Sequence, residues 1–211
     1  MSYNNYNYTF PFWGPLLLKT TISNECYNFI DSVVKDSLEN KYPFSHGIVK
    51  MKDEYEFSPE NKEIFEVHLQ ELLQLYYSVY RKEWWPHSSD FVEKFVLKNA
   101  WVNWQGKNEF RSPHIHDKCD MSFVIYYDIP DELVKEASEE TQVPIKPGAI
   151  VFKDKVGDSD NPIKSIAEYA HFPSTGECFI FPAYLFHYTI PFKSDCTRIS
   201  ISGNVDVITN D

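Results

Sequence analysis

The sequence is short of positive charge. Lys and Arg total 20 against 31 Asp and Glu, a formal charge of −11, which argues against a broad phosphate-neutralising surface and against a nucleic-acid partner. Seven glycines never gather into a phosphate-cradling loop, and neither GxSxG nor HExxH occurs. Those absences remove P-loop, nucleophile-elbow and zincin chemistry. The four cysteines, Cys26, Cys119, Cys178 and Cys196, have no CxxC spacing and no pairing pattern. They read as reduced thiols that pack, not as a zinc finger or a disulfide scaffold. No apolar run approaches bilayer length, and the opening "MSYNNYNYTF" lacks the charged start and apolar core of a signal peptide. The expectation is a soluble, cytoplasmic protein with no membrane segment.

Aromatic residues are plentiful, 17% of a chain that is 43% hydrophobic. Such a composition opposes disorder and leans towards sheet, and 211 residues suit one domain. A short strand is expected over 12–20 and a helix over 23–40, with Ser23 as N-cap and Phe29, Ile30, Val33 and Val34 on one side. Ser58, Pro59 and Glu60 open a second helix, along which Phe65, Leu69, Leu72, Leu73, Tyr76 and Tyr80 form a core-facing stripe. The stretch 41–57 reads as turns. Strands are expected over 91–104 (interrupted near Lys98 and Asn99), 121–129, 148–153, 177–182, 184–190 and 197–207. A short helix fits the acidic segment 131–146. Residues 154–175, with Asp154, Asp158, Asp160 and His171, read as an irregular loop, either a lid or a solvated insertion. Helices followed by strands predict an α+β domain spanning 1–211. Its helical part covers about 20–90 and packs on one face of a β-sandwich core over about 91–207.

Three of the seven histidines carry the chemistry. In "RSPHIHDKCD", residues 111–120, His114 and His116 are one residue apart, so in extended chain both imidazoles project to one side. His187 lies inside the strand-like "YLFHYTI", and Arg198 follows eleven residues on. A close pair plus a distant histidine has the form of a facial metal site with an open side, and imidazole suits non-haem Fe(II). Arg198 matches a small acid in the same pocket, because guanidinium forks fit carboxylates at two points. His46, His68, His87 and His171 have no companions and read as structural. Lys107, Arg111 and Lys118 read as a solvated loop.

With these residues in place, the chain resembles the iron- and 2-oxoglutarate-dependent oxygenases, of the prolyl-hydroxylase-like group and its short relatives in phages and bacteria. The likeness runs through "TISNECYNFI" (21–30), "WQGKNEFRSPHIH" (104–116), "FVIYYDIP" (123–130) and "GECFIFPAYLFHYTIPFKSDCTRISIS" (176–202). The resemblance implies a double-stranded β-helix of jelly-roll or cupin type. It also implies Fe(II), 2-oxoglutarate and O2, and hydroxylation of a substrate C–H bond with release of succinate and CO2. A peptide or protein substrate is favoured over a small molecule. Carried over residue by residue, His114 is the first metal histidine, His187 the distal one and Arg198 the partner of the far carboxylate of 2-oxoglutarate. Tyr127 matches a tyrosine that assists that carboxylate, and Ser200 and Asn103 sit where a polar contact to the cosubstrate can form.

The sequence departs from the family where an aspartate is usual, because His116 stands there. Three readings stay open: His116 ligates, Asp117 or Asp120 supplies a carboxylate, or two histidines bind alone and water fills the gap. Two other functions also compete. One is a three-histidine cupin-type dioxygenase that uses no oxo-acid. The other is a non-catalytic β-sandwich binding module.

Overall fold

The computed structural model describes residues 8–9, 15–44, 51–84, 91–154 and 168–210. His46, His87, Asp158 and Asp160 lie outside the described residues. The elements in chain order are β1 (Tyr8–Thr9), β2 (Leu18–Thr21), α1 (Asn24–Asn40), β3 (Asp53–Glu56) and α2 (Pro59–Trp84), then β4 (Phe91–Gln105) and β5 (Met121–Asp128). After these come α3 (Asp131–Glu139), β6 (Ile150–Lys153), β7 (Glu168–His171), β8 (Glu177–Pro182), β9 (Phe186–Thr189) and β10 (Arg198–Asn210).

Two antiparallel sheets face one another. The larger has seven strands in the order β1-β2-β8-β5-β10-β4-β3, and the smaller three in the order β7-β6-β9. Apart from the neighbours β1–β2, β3–β4 and β6–β7, strand order departs from chain order, as in the jelly-roll arrangement expected. Two apolar clusters divide the interior. Leu17, Val124, Tyr126, Phe152, Phe179 and Phe181 fill the space between the sheets. The outer face of the large sheet offers Val102, Phe123, Ile125, Ile180 and Ile201 to Ile30, Phe65, Leu69 and Leu73 of the helices. Both faces of the large sheet are therefore buried, and β5 and β8 at its centre read as largely apolar runs.

Local signals explain the helices. The Ser23 hydroxyl accepts the Cys26 N–H at 3.2 Å and caps α1, and Lys41 closes it in the left-handed region. Ser58 accepts the Asn61 N–H at the start of α2. The expected interruption at Lys98 is a bulge inside one continuous strand. There the β4–β10 register slips between Asn204 and Val205, and Glu66 of α2 takes the Leu97 N–H at 2.7 Å. Nearby, a Cβ on Gly203 would meet the Phe123 ring at 2.5 Å and the Asn99 carbonyl oxygen at 2.7 Å. Only glycine allows β10 to cross there.

Three strands lie where none was expected: β1 precedes the strand expected over 12–20, β3 is in the turn-rich stretch and β7 is in the irregular loop. β3 and β7 are each four residues long. Among the described residues no helix is long and apolar enough to cross a membrane.

Candidate functional site

The inner face of the large sheet supplies one wall of a pocket. On β10, Arg198, Ser200 and Ser202 pair across β4 with Gln105, Asn103 and Trp101, and Ser200 and Ser202 pair across β5 with Tyr126 and Val124. Alternation puts each of these side chains on the same face, and all of them line the pocket. The opposite wall comes from the small sheet, with Ile150, His187 and Thr189.

The segment 111–116 runs beside β9 as a further extended edge. His114 and His187 exchange N–H···O bonds of 3.1 and 3.0 Å, and the His116 N–H donates to the Ala183 carbonyl at 2.9 Å. Both imidazoles consequently face His187. One nitrogen from each of His114, His116 and His187 lies within 4.8 Å of the others. Backbone carbonyls set their orientation: Nδ1 of His114 meets the Ser112 oxygen at 2.7 Å and Nδ1 of His187 meets the Leu185 oxygen at 2.9 Å. A carbonyl accepts only, so Nδ1 carries the proton on both rings and the Nε2 lone pairs converge. Nε2 of His116 stands 3.3 Å from Nε2 of His187. Burial lowers the pKa of all three rings, that of His116 to about 3, so none is protonated at neutral pH. Three convergent, unprotonated nitrogens fit a divalent transition metal. No carboxylate joins the cluster among the described residues. Asp117 is exposed, and Asp120 faces outward to accept the Val207 N–H at 2.8 Å.

Arg198 is 2% exposed. It donates to the Gly148 carbonyl at 2.6 Å and to the Gln105 side-chain oxygen, and both acceptors are neutral. Its Nε has no partner. The guanidinium lies 5.3 Å from the centre of the Tyr126 ring, whose buried hydroxyl also has no partner. Burial pushes that phenol's pKa up, so it stays a donor. Two orphaned donors and an uncompensated cation, deep in a pocket, fit the far carboxylate of a small diacid.

The structure does not bring Tyr127 to the pocket. It turns to the helix side, stacks on Tyr27 at 5.2 Å and donates to Asp31 at 2.6 Å. The neighbouring Tyr126 occupies the inner position, and the β5–β10 register shift falls beside Tyr127. Asn103 and Ser200 do line the pocket, but they bond one another: the Asn103 amide donates to the Ser200 carbonyl at 3.3 Å and hydroxyl at 3.4 Å, and to the Ser202 hydroxyl at 3.1 Å. Asn103 Oδ1 accepts from the Trp101 indole at 3.0 Å and from Arg111 at 3.4 Å.

Arg111 departs from the expected solvated loop. Its side chain is 13% exposed and pairs with Glu54, which is 2% exposed. Lys107 and Lys118 are exposed, as expected. Sequence reading did not single out Tyr126, Gln105, Glu54 or Trp101. The alternation of β5 relative to Arg198 is the signal that points to Tyr126 once the two strands are known to pair. Cys119 and Cys196 are free and half-buried, outside the histidine cluster, and Cys26 and Cys178 are buried. His68 packs on Phe29 at 5.0 Å, and His171 bonds Glu177 at 2.7 Å.

A family model described as "Putative 2OG-Fe(II) oxygenase" matches residues 99–204. Among curated proteins nothing matches. Among solved structures, a Pseudomonas putida prolyl-4-hydroxylase superposes with a TM-score of 0.55 at 11% identity, covering 90% of this chain and 91% of its own. The viral collagen prolyl hydroxylase of Paramecium Bursaria Chlorella virus-1, in its 2OG complex, gives 0.54 at 13% identity, covering 92% and 97%. SnoN, an alpha-ketoglutarate-dependent epimerase of nogalamycin biosynthesis, gives 0.56 at 12% identity, covering 90% and 76%. At such identities the likeness is one of fold, and a hydroxylase and an epimerase share it equally.

Proposed function

The chain belongs to the 2OG-Fe(II) oxygenase family, an Fe(II)- and 2-oxoglutarate-dependent dioxygenase, and we propose that His114, His116 and His187 hold its metal while Arg198 anchors its cosubstrate. The observation that carries this assignment is the joint one: three convergent imidazole nitrogens and an uncompensated buried guanidinium in a single pocket. The Fe(II), when bound, would supply the redox chemistry by which O2, 2-oxoglutarate and a substrate C–H bond become a hydroxylated product, succinate and CO2.

The chain's own residues bind, orient and exclude. Ser112 and Leu185 carbonyls hold two imidazoles in the ligating tautomer. Gly148 and Gln105 hold the Arg198 guanidinium, and its Nε and the Tyr126 hydroxyl take the far carboxylate. Ile150, Phe181 and Val124 line the same pocket and keep it poor in water. His116 is the third ligand in this reading, since Asp117 and Asp120 point elsewhere. Two of the structural neighbours are prolyl hydroxylases by name and a third is an epimerase; the reaction in this reading is C–H hydroxylation, with a peptide or protein as the substrate class to test first.

The test is anaerobic. Fe(II) is added to metal-free protein, then 2-oxoglutarate, and the visible spectrum is followed. A charge-transfer band is expected on the second addition. Arg198→Ala should weaken cosubstrate binding by about tenfold to a hundredfold, the loss expected of a charged hydrogen-bonding pair, while iron still binds. Iron bound with no band at saturating 2-oxoglutarate would favour the three-histidine dioxygenase that uses no oxo-acid.

A further inference from the structure

The charge of the pocket bears on the substrate, on the footing of the metal and cosubstrate assignment above. Two arginines and three histidines line the pocket, but no aspartate or glutamate does among the described lining residues, in a chain with 31 acids. Arg111 has its counter-charge in Glu54. Arg198 donates only to neutral oxygens. Imidazoles that ligate a metal are themselves neutral.

The formal charges can be added. A divalent iron and Arg198 bring three positive charges, and 2-oxoglutarate brings two negative ones. One positive charge remains inside a largely buried chamber, where an aspartate in the place of His116 would have cancelled it. An uncompensated charge away from water is costly, and an anion entering with the substrate offsets it.

We propose that the pocket takes a second anion beside 2-oxoglutarate, and that the primary substrate delivers it as a carboxylate. The Arg198 end of the pocket is taken by the cosubstrate. Along β4 and β10 the other end is reached at Trp101 and Ser202, beside Asn103, Arg111 and His116. The Trp101 ring lies 6.0 Å from His116 and tilts over it, and Arg111 reaches Asn103 from the same side. This end has the Trp101 ring as an aromatic wall and the Ser202 hydroxyl beside it, away from Arg198, and the substrate carboxylate belongs there.

Co(II) replaces Fe(II) in the test, because its visible absorption reports changes around the metal without turnover. The full chain, loaded with Co(II), is first saturated with 2-oxoglutarate under argon. It is then titrated with acetate and, in parallel, with the neutral isostere acetamide. Equilibrium dialysis of labelled 2-oxoglutarate shows whether the cosubstrate stays bound. A spectral shift with acetate and none with acetamide, with the cosubstrate retained, is the expected result. N-acetyl-aspartate amide and N-acetyl-asparagine amide are run in the same way. If the aspartate form competes with acetate, the carboxylate arrives on a peptide residue; if it does not, a free small acid is the source.

His116→Asp should weaken acetate binding by at least about tenfold, as expected when a nearby charge is neutralised. That variant can lose metal or fold, so the acetate and acetamide pair on the unsubstituted protein decides. Equal responses to the two, or none to acetate, overturn the proposal. So does acetate that displaces 2-oxoglutarate, since it would then be competing for Arg198. If 2-oxoglutarate leaves the Co(II) spectrum unchanged at the first step, the cosubstrate assignment fails and takes this inference with it.

Discussion

Tyr126 and Tyr127 are chemically identical neighbours with opposite surroundings. One hydroxyl is buried beside Arg198 without a partner, and the other bonds Asp31 under α1. Tyr126→Phe is expected to raise the Kd for 2-oxoglutarate by about tenfold, the value of one hydrogen bond to a charged group, with little effect on folding. Tyr127→Phe should leave the Kd alone and lower stability by about 1 kcal/mol. Calorimetric titration and urea unfolding of both variants check the pair. The sequence could not show which tyrosine faces in, because every residue from Met121 to Tyr126 is buried and no polar alternation marks a face. His114, His116, His187 and Arg198 were legible because each is a polar residue that an apolar strand or turn has no other use for. A second residue-scale test concerns acid. Burial pushes Glu177 up, but hydrogen bonds from His171, Ser174 and Lys19 outweigh it and hold its pKa down to about 2. A folded pKa below the unfolded one stabilises above the unfolded value, here 4.5, and that contribution fades as pH falls towards the folded one. Glu177→Gln should therefore be less stable than the parent at pH 7, with the gap in urea midpoints narrowing at about pH 3.

At the scale of elements, the short ones escaped the sequence. β3 reads "DEYE" and β7 reads "EYAH": four residues each, largely polar, with no run long enough to set a period. The helices and the longer strands were legible because caps and apolar stripes specify them locally. Missing β3 also hid the partner of Arg111, because Glu54 sits on that strand. The pair ties the segment that carries His114 and His116 to the edge of the large sheet, and Glu54 also accepts the Met51 N–H at 3.1 Å. Removing one member strands the other in the interior. Arg111→Met and Glu54→Gln should each cost about 3–5 kcal/mol, and the double variant should cost less than the sum of the two. Denaturant unfolding of the four proteins in a cycle measures this. If the effects are additive, the ion pair is not acting as a unit.

At the scale of the whole molecule, the α+β sandwich with helices on one sheet was legible from element order alone, whereas the partition into seven and three strands was not. Strand order depends on pairings between distant segments, which no local pattern encodes. The two sheets together make the binding site, so occupancy should be felt globally. With a redox-inert metal bound, 2-oxoglutarate at a hundred times its Kd should add about 2.7 kcal/mol, or roughly 5–10 °C in Tm for a domain of this size. Arg198→Ala should lose that increment and keep the one due to metal, as read by thermal scans.

The separation of the ligands along the chain has a consequence for synthesis. His116 and His187 are 71 residues apart, and His187 meets the segment holding His114 through an antiparallel bridge between distant parts of the chain. A ribosome-bound chain that has reached residue 180 already displays two imidazoles, yet it has no third ligand and no Arg198. Iron offered at that stage meets half a site and is free to leave. With the proposed ligand set, metal loading is expected late in the life of each molecule, and cofactor capture would then serve as a clock for closure of the sandwich.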